Sequence, residues 1–397
     1  MTLLPIDEAQ SRLFALADPV PTETAPLAQA AGRWAAAGIL ARCTQPAANL
    51  SAMDGYALRF ADLPGPWRVV GESAAGRPLA QAIALGEAAR IFTGAAMPPG
   101  TDTVLIQEEA RRDGDRLHLA GEGPPHPGRN TRRRGLDFSE GDRLIEAGER
   151  ITPARLAVAA TAGHGTLPVR RRVRVALAAT GDELVEPGGD HAGTALPESN
   201  RAMLAAMLAD LPVDLIDLGI LPDRLDTLRD AFAQAECDLL VTTGGASVGD
   251  HDLVRPALEA AGGAIDFWRV ALRPGKPMMA GRLGPATVLG LPGNPVSAFV
   301  TAVLFVRPLI AHLAGARDPL PRSRPAVLGE DLPANNARTD YLRAAERDGR
   351  AHASAIQDSS MLLTLARSTC LIIRPANAPP ARAGDSAEVL DIAGSWA

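Results

Sequence analysis

The chain is poor in the residues that usually announce a reaction centre. It has 3 cysteines in 397 residues, Cys43, Cys237 and Cys370, with no CxxC pair. That excludes a disulfide framework of the secreted kind. Its 7 histidines show no metal-ligand spacing, which removes the usual zinc signatures. No Ser–His or Cys–His pair is evident, so a protein nucleophile is not expected. The opening MTLLPIDEAQ has an early acidic pair and no signal-peptide core, and no run of eighteen apolar residues is seen. No membrane span is expected, and the cytoplasm is the expected compartment. Positive charge is not in excess either. The net charge is −6, so bulk nucleic-acid binding is not favoured. The arginine clusters at 132–134 and 170–172 read as solvated or domain-edge charge, although the first could meet a small anion.

What is present is length, apolar content and glycine-bearing loops. At 397 residues and 46% hydrophobic content, the chain can build several cores. Apolar spacing predicts a helix over 5–17 and another over 27–34. Residues 46–144 change character: short β-prone pieces at 67–71, 89–92, 103–107 and 116–119 lie between Gly and Pro turns, as in a compact all-β domain. Helical pattern returns over 152–162, which suggests that the β domain is an insertion. From 171 the pattern alternates: strands over 173–179, 213–218, 238–242 and 286–291, with helices over 200–208, 226–235, 251–261 and 295–311. That alternation predicts a parallel-rich α/β sheet covered on both faces. After residue 318, five short β-prone stretches fit a small barrel or sandwich.

Three strands of the α/β region run into polar, glycine-bearing turns. These are Thr180-Gly181-Asp182-Glu183-Leu184, Thr242-Thr243-Gly244-Gly245-Ala246-Ser247 and Pro292-Gly293-Asn294-Pro295. Ligands of open α/β sheets bind beyond the carboxyl ends of the strands, and glycine-rich backbone there suits phosphate. Glu183, Asp223, Asp250 and Asp252 fall at or just past strand ends. Beside a phosphate they call for Mg²⁺ held by one or two carboxylates, although Asp250 and Asp252 are also candidates to cap the next helix. Arg269, Arg273 and Lys276, stiffened by two prolines, read as an oxyanion clamp or else as a solvated basic turn. In the β region, SAMDGYA at 51–57 and IFTGAAMP at 91–98 read locally as turns, the Asp-Gly pair being a common hairpin dipeptide.

Taken together and in order, SAMDGYA, IFTGAAMP, RRRGLDFSEGD, ATGDEL, TTGGASVGDHD, LRPGKP and LPGNPVSA make the chain resemble the molybdopterin molybdenumtransferases, a family sharing its fold with the E domain of gephyrin. The resemblance covers essentially the whole chain. It implies four parts: a helical linker region (1–45 and 145–170), an inserted β domain (46–144), a molybdopterin-binding α/β domain (171–317) and a C-terminal β-barrel (318–397). It implies a transferase, a molybdopterin molybdotransferase that turns adenylylated molybdopterin and molybdate into molybdenum cofactor and AMP with Mg²⁺.

The same resemblance implies a homodimer in which Asp54, Thr93 and Asp137 complete the partner's cleft, with the molybdopterin adenylyltransferase and acceptor molybdoenzymes as further partners. Asp252, Glu183 and Asp223 match its acidic positions. Asp252 is the first choice for an essential residue, and Asp252 and Glu183 are the Mg²⁺ candidates. The binding set carried over is Thr93, Thr180, Gly181, Thr243, Gly244, Gly245, Ser247, Arg269, Arg273, Lys276, Pro292, Gly293, Asn294, Pro295, Arg343 and Ser359. Arg269 and Arg273 stand where the family often has lysine, replacing a point charge by a fork. The serine motif departs from the family's around Ser360. Other readings are a nucleotide pyrophosphatase of the competence-damage type, a molybdopterin adenylyltransferase, a scaffold, and a pterin carrier without turnover. The first two lack the SAMDGYA-bearing β domain and the barrel pattern.

Overall fold

The computed structural model describes residues 3–189, 193–245 and 253–392. The chain divides into two compact units. One comprises 1–37, 147–152 and 168–397; the other comprises 38–146 and 153–167.

In the first unit, a six-stranded sheet has the order Val213–Leu221, Val173–Thr180, Leu239–Thr243, Ala286–Leu291, Met279–Leu283, Ala264–Trp268. The first four strands are mutually parallel, and Met279–Leu283 runs antiparallel to both of its neighbours, Ala286–Leu291 and Ala264–Trp268. The antiparallel pair was not legible in the sequence. Only 286–291 reads as a strand there, whereas Met279–Leu283 forms a hairpin with it, and 264–268 sits beside a Pro- and Gly-rich stretch.

Side chains leave a strand alternately to either face. Val173, Val175, Leu177, Leu239, Val241, Leu289 and Leu291 enter one apolar cluster, with the helices Ile6–Ala15, Asn200–Leu208 and the helical run from Pro295. Ala176, Ala178, Leu240 and Val288 enter the other, with helices Leu225–Gln234 and Val254–Ala260. The alanines on the second face let those helices approach closely. Burial also governs the free thiols near and beyond this core: it pushes Cys237 and Cys370 up to about 11, so neither is poised as a nucleophile.

Pro295–Leu313 is the one helical run, among the described residues, long and apolar enough to cross a membrane, and it is 94% buried within the fold. Its apolarity is that of a core element carrying Arg307 and His312. It widens to a π-turn over Ala302–Val306, where Gln10 of the N-terminal helix donates to the Leu304 carbonyl at 2.8 Å. Phe14 stacks on His312 with centroids 4.8 Å apart. The expected helix over 27–34 is cut to Leu27–Ala30, and Gly32 follows at φ +78.

The carboxyl end of this unit is a closed barrel. Thr339–Arg347, Arg350–Ala353, Arg324–Leu328, Ser386–Asp391 and Cys370–Arg374 pair in turn, and the last pairs back to the first. Leu272–Arg273 adds to it in parallel with Thr339–Asp340, tying the α/β layer to the barrel.

The second unit is built on a six-stranded sheet: Thr103–Ile106, Gly55–Leu58, Glu87–Ile91, Trp67–Ser73, Arg116–Leu119, Ala110–Asp113. Tyr56, Leu58, Trp67, Ala88, Leu105 and Leu117 fill one face; Ala57, Ile91, Ala95 and Val104 fill the other. Gly55 does not make the hairpin turn that Asp-Gly suggests. It opens a central strand, where a Cβ would stand 2.0 Å from the Leu105 carbonyl oxygen, so only glycine allows that pairing.

Candidate functional site

The register of the α/β sheet decides where its loops leave. Ala179 pairs with Thr243, and Thr243 with Leu291, across three adjacent parallel strands. Thr180, Gly244 and Pro292 therefore emerge side by side. Gly244 lies at φ +86, and a Cβ there would be 2.4 Å from the Thr180 carbonyl oxygen. A Cβ on Gly245 would be 2.3 Å from Val254 Cγ2, and one on Gly293 would be 3.4 Å from Gly244 Cα. The three glycine-bearing turns thus form one backbone-walled surface. Thr180 Oγ1 and Thr242 Oγ1 are buried beside it, without a hydrogen-bond partner among the described residues.

Acidic groups gather around the first turn. Glu183 is exposed, and its carboxylate folds back so that a Cβ on Gly181 would lie 2.7 Å from Oε2. The Asp223 amide donates to Asp182 Oδ1 at 3.1 Å, which brings Asp223 to the same edge. No group of three or more His, Cys, Asp or Glu that could hold a metal ion occurs among the described residues. An accessible carboxylate beside a glycine-walled surface fits Mg²⁺, which takes few protein ligands and completes its shell with phosphate and water. Asp252 and Ser247 lie outside the described residues.

The third turn joins the barrel. Asn294 precedes the helix beginning at Pro295, yet its side chain does not cap that helix. Instead Nδ2 donates to Ser359 Oγ at 3.1 Å, and the Val296 amide donates to the Ser359 carbonyl at 3.2 Å. The Ser359 loop continues to Met361, whose carbonyl accepts from Arg343 at 3.1 Å. Arg343 is 1% exposed, and burial lowers its pKa.

The basic turn lies against the same helix. Gly275, at φ +112, would place a Cβ 2.7 Å from Thr301 Cγ2. Arg269 takes a left-handed φ of +86, rare for a side chain of its size. Its amide donates to Met278 and its carbonyl accepts from Leu4, which hold it there. Arg273 is half exposed, and its NH1 is 3.9 Å from Asp340 Oδ2. Lys276 is exposed.

Two residues absent from the sequence reading support the surface. Asn200, 7% exposed, donates through Nδ2 to the Gly293 carbonyl at 2.8 Å. Glu198 accepts from the Asn200 amide at 2.6 Å. Next to them, Arg201 bridges Asp217 and Glu186 in bidentate pairs at 2.7–2.9 Å. The signal was the polar Glu198-Ser199-Asn200-Arg201 run opening a helix, which reads equally as ordinary N-terminal capping.

In the second unit, Asp54 and Thr93 meet. Asp54 Oδ1 accepts the Thr93 amide at 2.7 Å and its hydroxyl at 2.8 Å. These bonds, chiefly the amide's, hold the carboxyl below its usual range. Arg90 lies between the rings of Tyr56 (5.2 Å) and Phe92 (4.8 Å) and donates to the Gly55 carbonyl beside Asp54. Asp137 is exposed, and its amide donates to Gln45 at 3.0 Å.

Residues 4–163 match the family model described as MoeA N-terminal region (domain I and II), residues 176–312 the probable molybdopterin binding domain, and residues 325–392 the MoeA C-terminal region (domain IV). A molybdopterin molybdenumtransferase of Haemophilus influenzae is 36% identical over 382 residues, 94% of each chain. The chain belongs to the molybdopterin molybdenumtransferase family. The Bacillus subtilis molybdopterin molybdenumtransferase is 30% identical, covering 98% of this chain and 94% of that one. The crystal structure of the molybdopterin biosynthesis moeA protein from Pyrococcus horikoshii OT3 superposes with a TM-score of 0.85 at 26% identity, over 98% of this chain and 100% of that one. The three glycine-bearing strand ends of this chain lie within the segment matched as the probable molybdopterin binding domain.

Proposed function

We propose that the protein is a molybdopterin molybdotransferase, which inserts molybdate into adenylylated molybdopterin and releases AMP in the last step of molybdenum cofactor biosynthesis. The observation that carries this reading is the register-aligned row of Thr180, Gly244 and Pro292, with Gly293 against Gly244, joined through Asn294 and Ser359 to the buried Arg343. The row supplies backbone N–H groups suited to phosphate. The arginine lies at the far end, on the barrel side.

The chemistry asks for little covalent work from the chain. Water splits the phosphoanhydride, AMP leaves, and the pterin dithiolate takes up molybdate, whose displaced oxide leaves as water. The glycine loops hold the phosphates, with Thr180 and Thr243 beside them. Arg269, Arg273, Lys276 and Arg343 bring positive charge to the oxyanions, the arginines as planar forks. Glu183, Asp223 and Asp252 orient the attacking water and the phosphates. Bound Mg²⁺, held by Glu183 and Asp252, would supply neutralisation of charge on the phosphate oxygens. A homodimer in which one protomer lends Asp54, Thr93 and Asp137 to its partner's cleft belongs to the same reading, supported by motif order. A cytoplasmic location, supply by the molybdopterin adenylyltransferase and delivery to acceptor molybdoenzymes complete it.

The test is AMP release from adenylylated molybdopterin with Mg²⁺, with and without molybdate, in the wild type, Asp252→Ala and Glu183→Gln. Molybdate-dependent release, abolished by the first variant and cut roughly a hundredfold by the second, supports the transferase. Tight binding by the wild type without AMP release leaves a carrier and overturns the reading.

A further inference from the structure

A guanidinium inside a protein ordinarily faces a carboxylate, because a buried unpaired charge is costly. Arg343 does not. It is 1% exposed, and its side chain meets only neutral acceptors: Gln357 Oε1 from Nε at 3.4 Å, the Met361 carbonyl from NH1 at 3.1 Å and the Ile356 carbonyl from NH2 at 3.2 Å. It has no ion pair among the described residues. Among the described residues the acid that acts on it is Asp358, whose Oδ1 is already engaged by the amide and hydroxyl of Ser360 at 2.9 and 2.6 Å. Three of the five guanidinium N–H groups are used, and the other two have no acceptor among the described residues.

Gln357 is shaped to this arrangement. Its Oε1 accepts from the Arg343 amide at 3.1 Å as well as from Nε, and its Nε2 donates to the carbonyls of Arg343 (3.0 Å) and Ser354 (2.9 Å). Both ends of one amide therefore grip residue 343, backbone and side chain together. Two residues further on, Ser359 reaches Asn294. A glutamate at 357 would turn an oxygen toward two carbonyls and place a negative charge on the arginine. The neutral amide holds the fork without cancelling it.

We propose that Gln357 is the positioning residue of the oxyanion end of the site: it fixes the Arg343 fork and keeps its charge uncompensated for the oxygens of molybdate. The proposal rests on the reading of Arg343 as an oxyanion ligand given above, and it names the residue that makes the arginine fit for that role.

The experiment measures AMP release against molybdate concentration, and thermal unfolding, for wild type, Gln357→Met, Gln357→Asn, Gln357→Glu and Arg343→Ala. Methionine keeps the length and neutrality but drops all four bonds. Asparagine keeps the amide one methylene short and serves if methionine impairs folding. The expected result is a five- to twentyfold rise in half-saturating molybdate for methionine or asparagine, with kcat at saturating molybdate within about threefold of wild type. The glutamate variant is expected to show the larger rise, because it adds neutralising charge. Unchanged molybdate dependence in the folded variants, with only a lower Tm, overturns the proposal and makes Gln357 structural. Unchanged molybdate dependence in Arg343→Ala instead overturns the assignment of the arginine itself.

Discussion

Asp54 Oδ1 takes both hydrogen bonds that Thr93 can offer it, the amide at 2.7 Å and the hydroxyl at 2.8 Å. The backbone bond, the hydroxyl bond and, more weakly, Arg90 keep the carboxyl below its ordinary range. A depressed carboxyl stays charged above that range and loses its charge only as pH falls through the lowered value. Thr93→Val removes the hydroxyl and keeps the amide, so the acid limb of the activity profile should move to higher pH. Asp54→Asn should lose at least tenfold in turnover at every pH while remaining folded. AMP release measured across the acid range decides the matter: a limb that stays in place in Thr93→Val rejects the coupling.

The contact between Gly244 and the Thr180 carbonyl predicts unequal effects of alanine along the row. At Gly244 an added Cβ would lie 2.4 Å from a backbone oxygen, at a positive φ that alanine adopts poorly. Gly244→Ala should cost about 1–3 kcal/mol and most of the activity, because the strand end must shift. At Gly293 the same atom would meet Gly244 Cα at 3.4 Å, an ordinary contact. Gly293→Ala should keep its Tm and lose only a few-fold in turnover. Thermal unfolding and AMP release on both variants check this; equal losses at the two positions would count against a wall built by close backbone approach.

Much of this site was legible in the sequence because its logic is local. A strand end followed by Thr-Gly or Gly-Gly has few uses, and Thr180, Gly244 and Gly293 stand where that pattern puts them. The long-range supports were not legible. Asn200 reaches the Gly293 carbonyl across 93 positions, and its run reads as plain capping. The left-handed φ of Arg269 is set by Leu4, Met278 and Lys276 acting on a short turn, and nothing in Trp-Arg-Val announces it. The strands Met279–Leu283 and Ala264–Trp268 were missed because the prolines and glycines beside them read as a loop. Asp-Gly at 54–55 was misread for a similar reason: glycine serves there a close strand pairing that only the fold reveals.

Asp238, at the head of the central strand, predicts a purely structural loss. It accepts Arg171 through both oxygens at 2.7 Å, the Arg174 amide at 2.8 Å and the Arg174 side chain at 3.2 Å. Burial raises its pKa, but the bonds from Arg171 and Arg174 outweigh that, and the net value is lowered. The stability this gives is present above the ordinary carboxylate pKa and is lost as pH falls through the lowered one. Asp238→Ala should destabilise by about 1–3 kcal/mol at neutral pH, since it removes the partner of two part-exposed arginines and the acceptor of the Arg174 amide. The deficit should shrink in acid. Tm measured from neutral pH into the acid range tests the sign; a deficit that grows in acid contradicts it.

Asp340 predicts the opposite trend, and with it a trade between stability and turnover. The residue is 5% exposed, its Oδ1 has no partner among the described residues, and Arg273 is 3.9 Å from Oδ2. Burial raises its pKa against the pull of Arg273, Arg338 and Arg374. A raised carboxyl pKa means that the protonated form favours the fold, a contribution lost as pH climbs through the raised value. Asp340→Asn keeps the volume and removes the charge, so its Tm should exceed the wild type's at neutral pH and converge with it in acid. The same change frees the Arg273 fork from the one carboxylate paired with it among the described residues, and half-saturating molybdate should change several-fold. If Arg273 takes part in the oxyanion clamp, both effects appear together in one variant. A variant that gains stability with unaltered molybdate dependence would remove Arg273 from the clamp and leave Asp340 as a buried charge with no catalytic reason to be there.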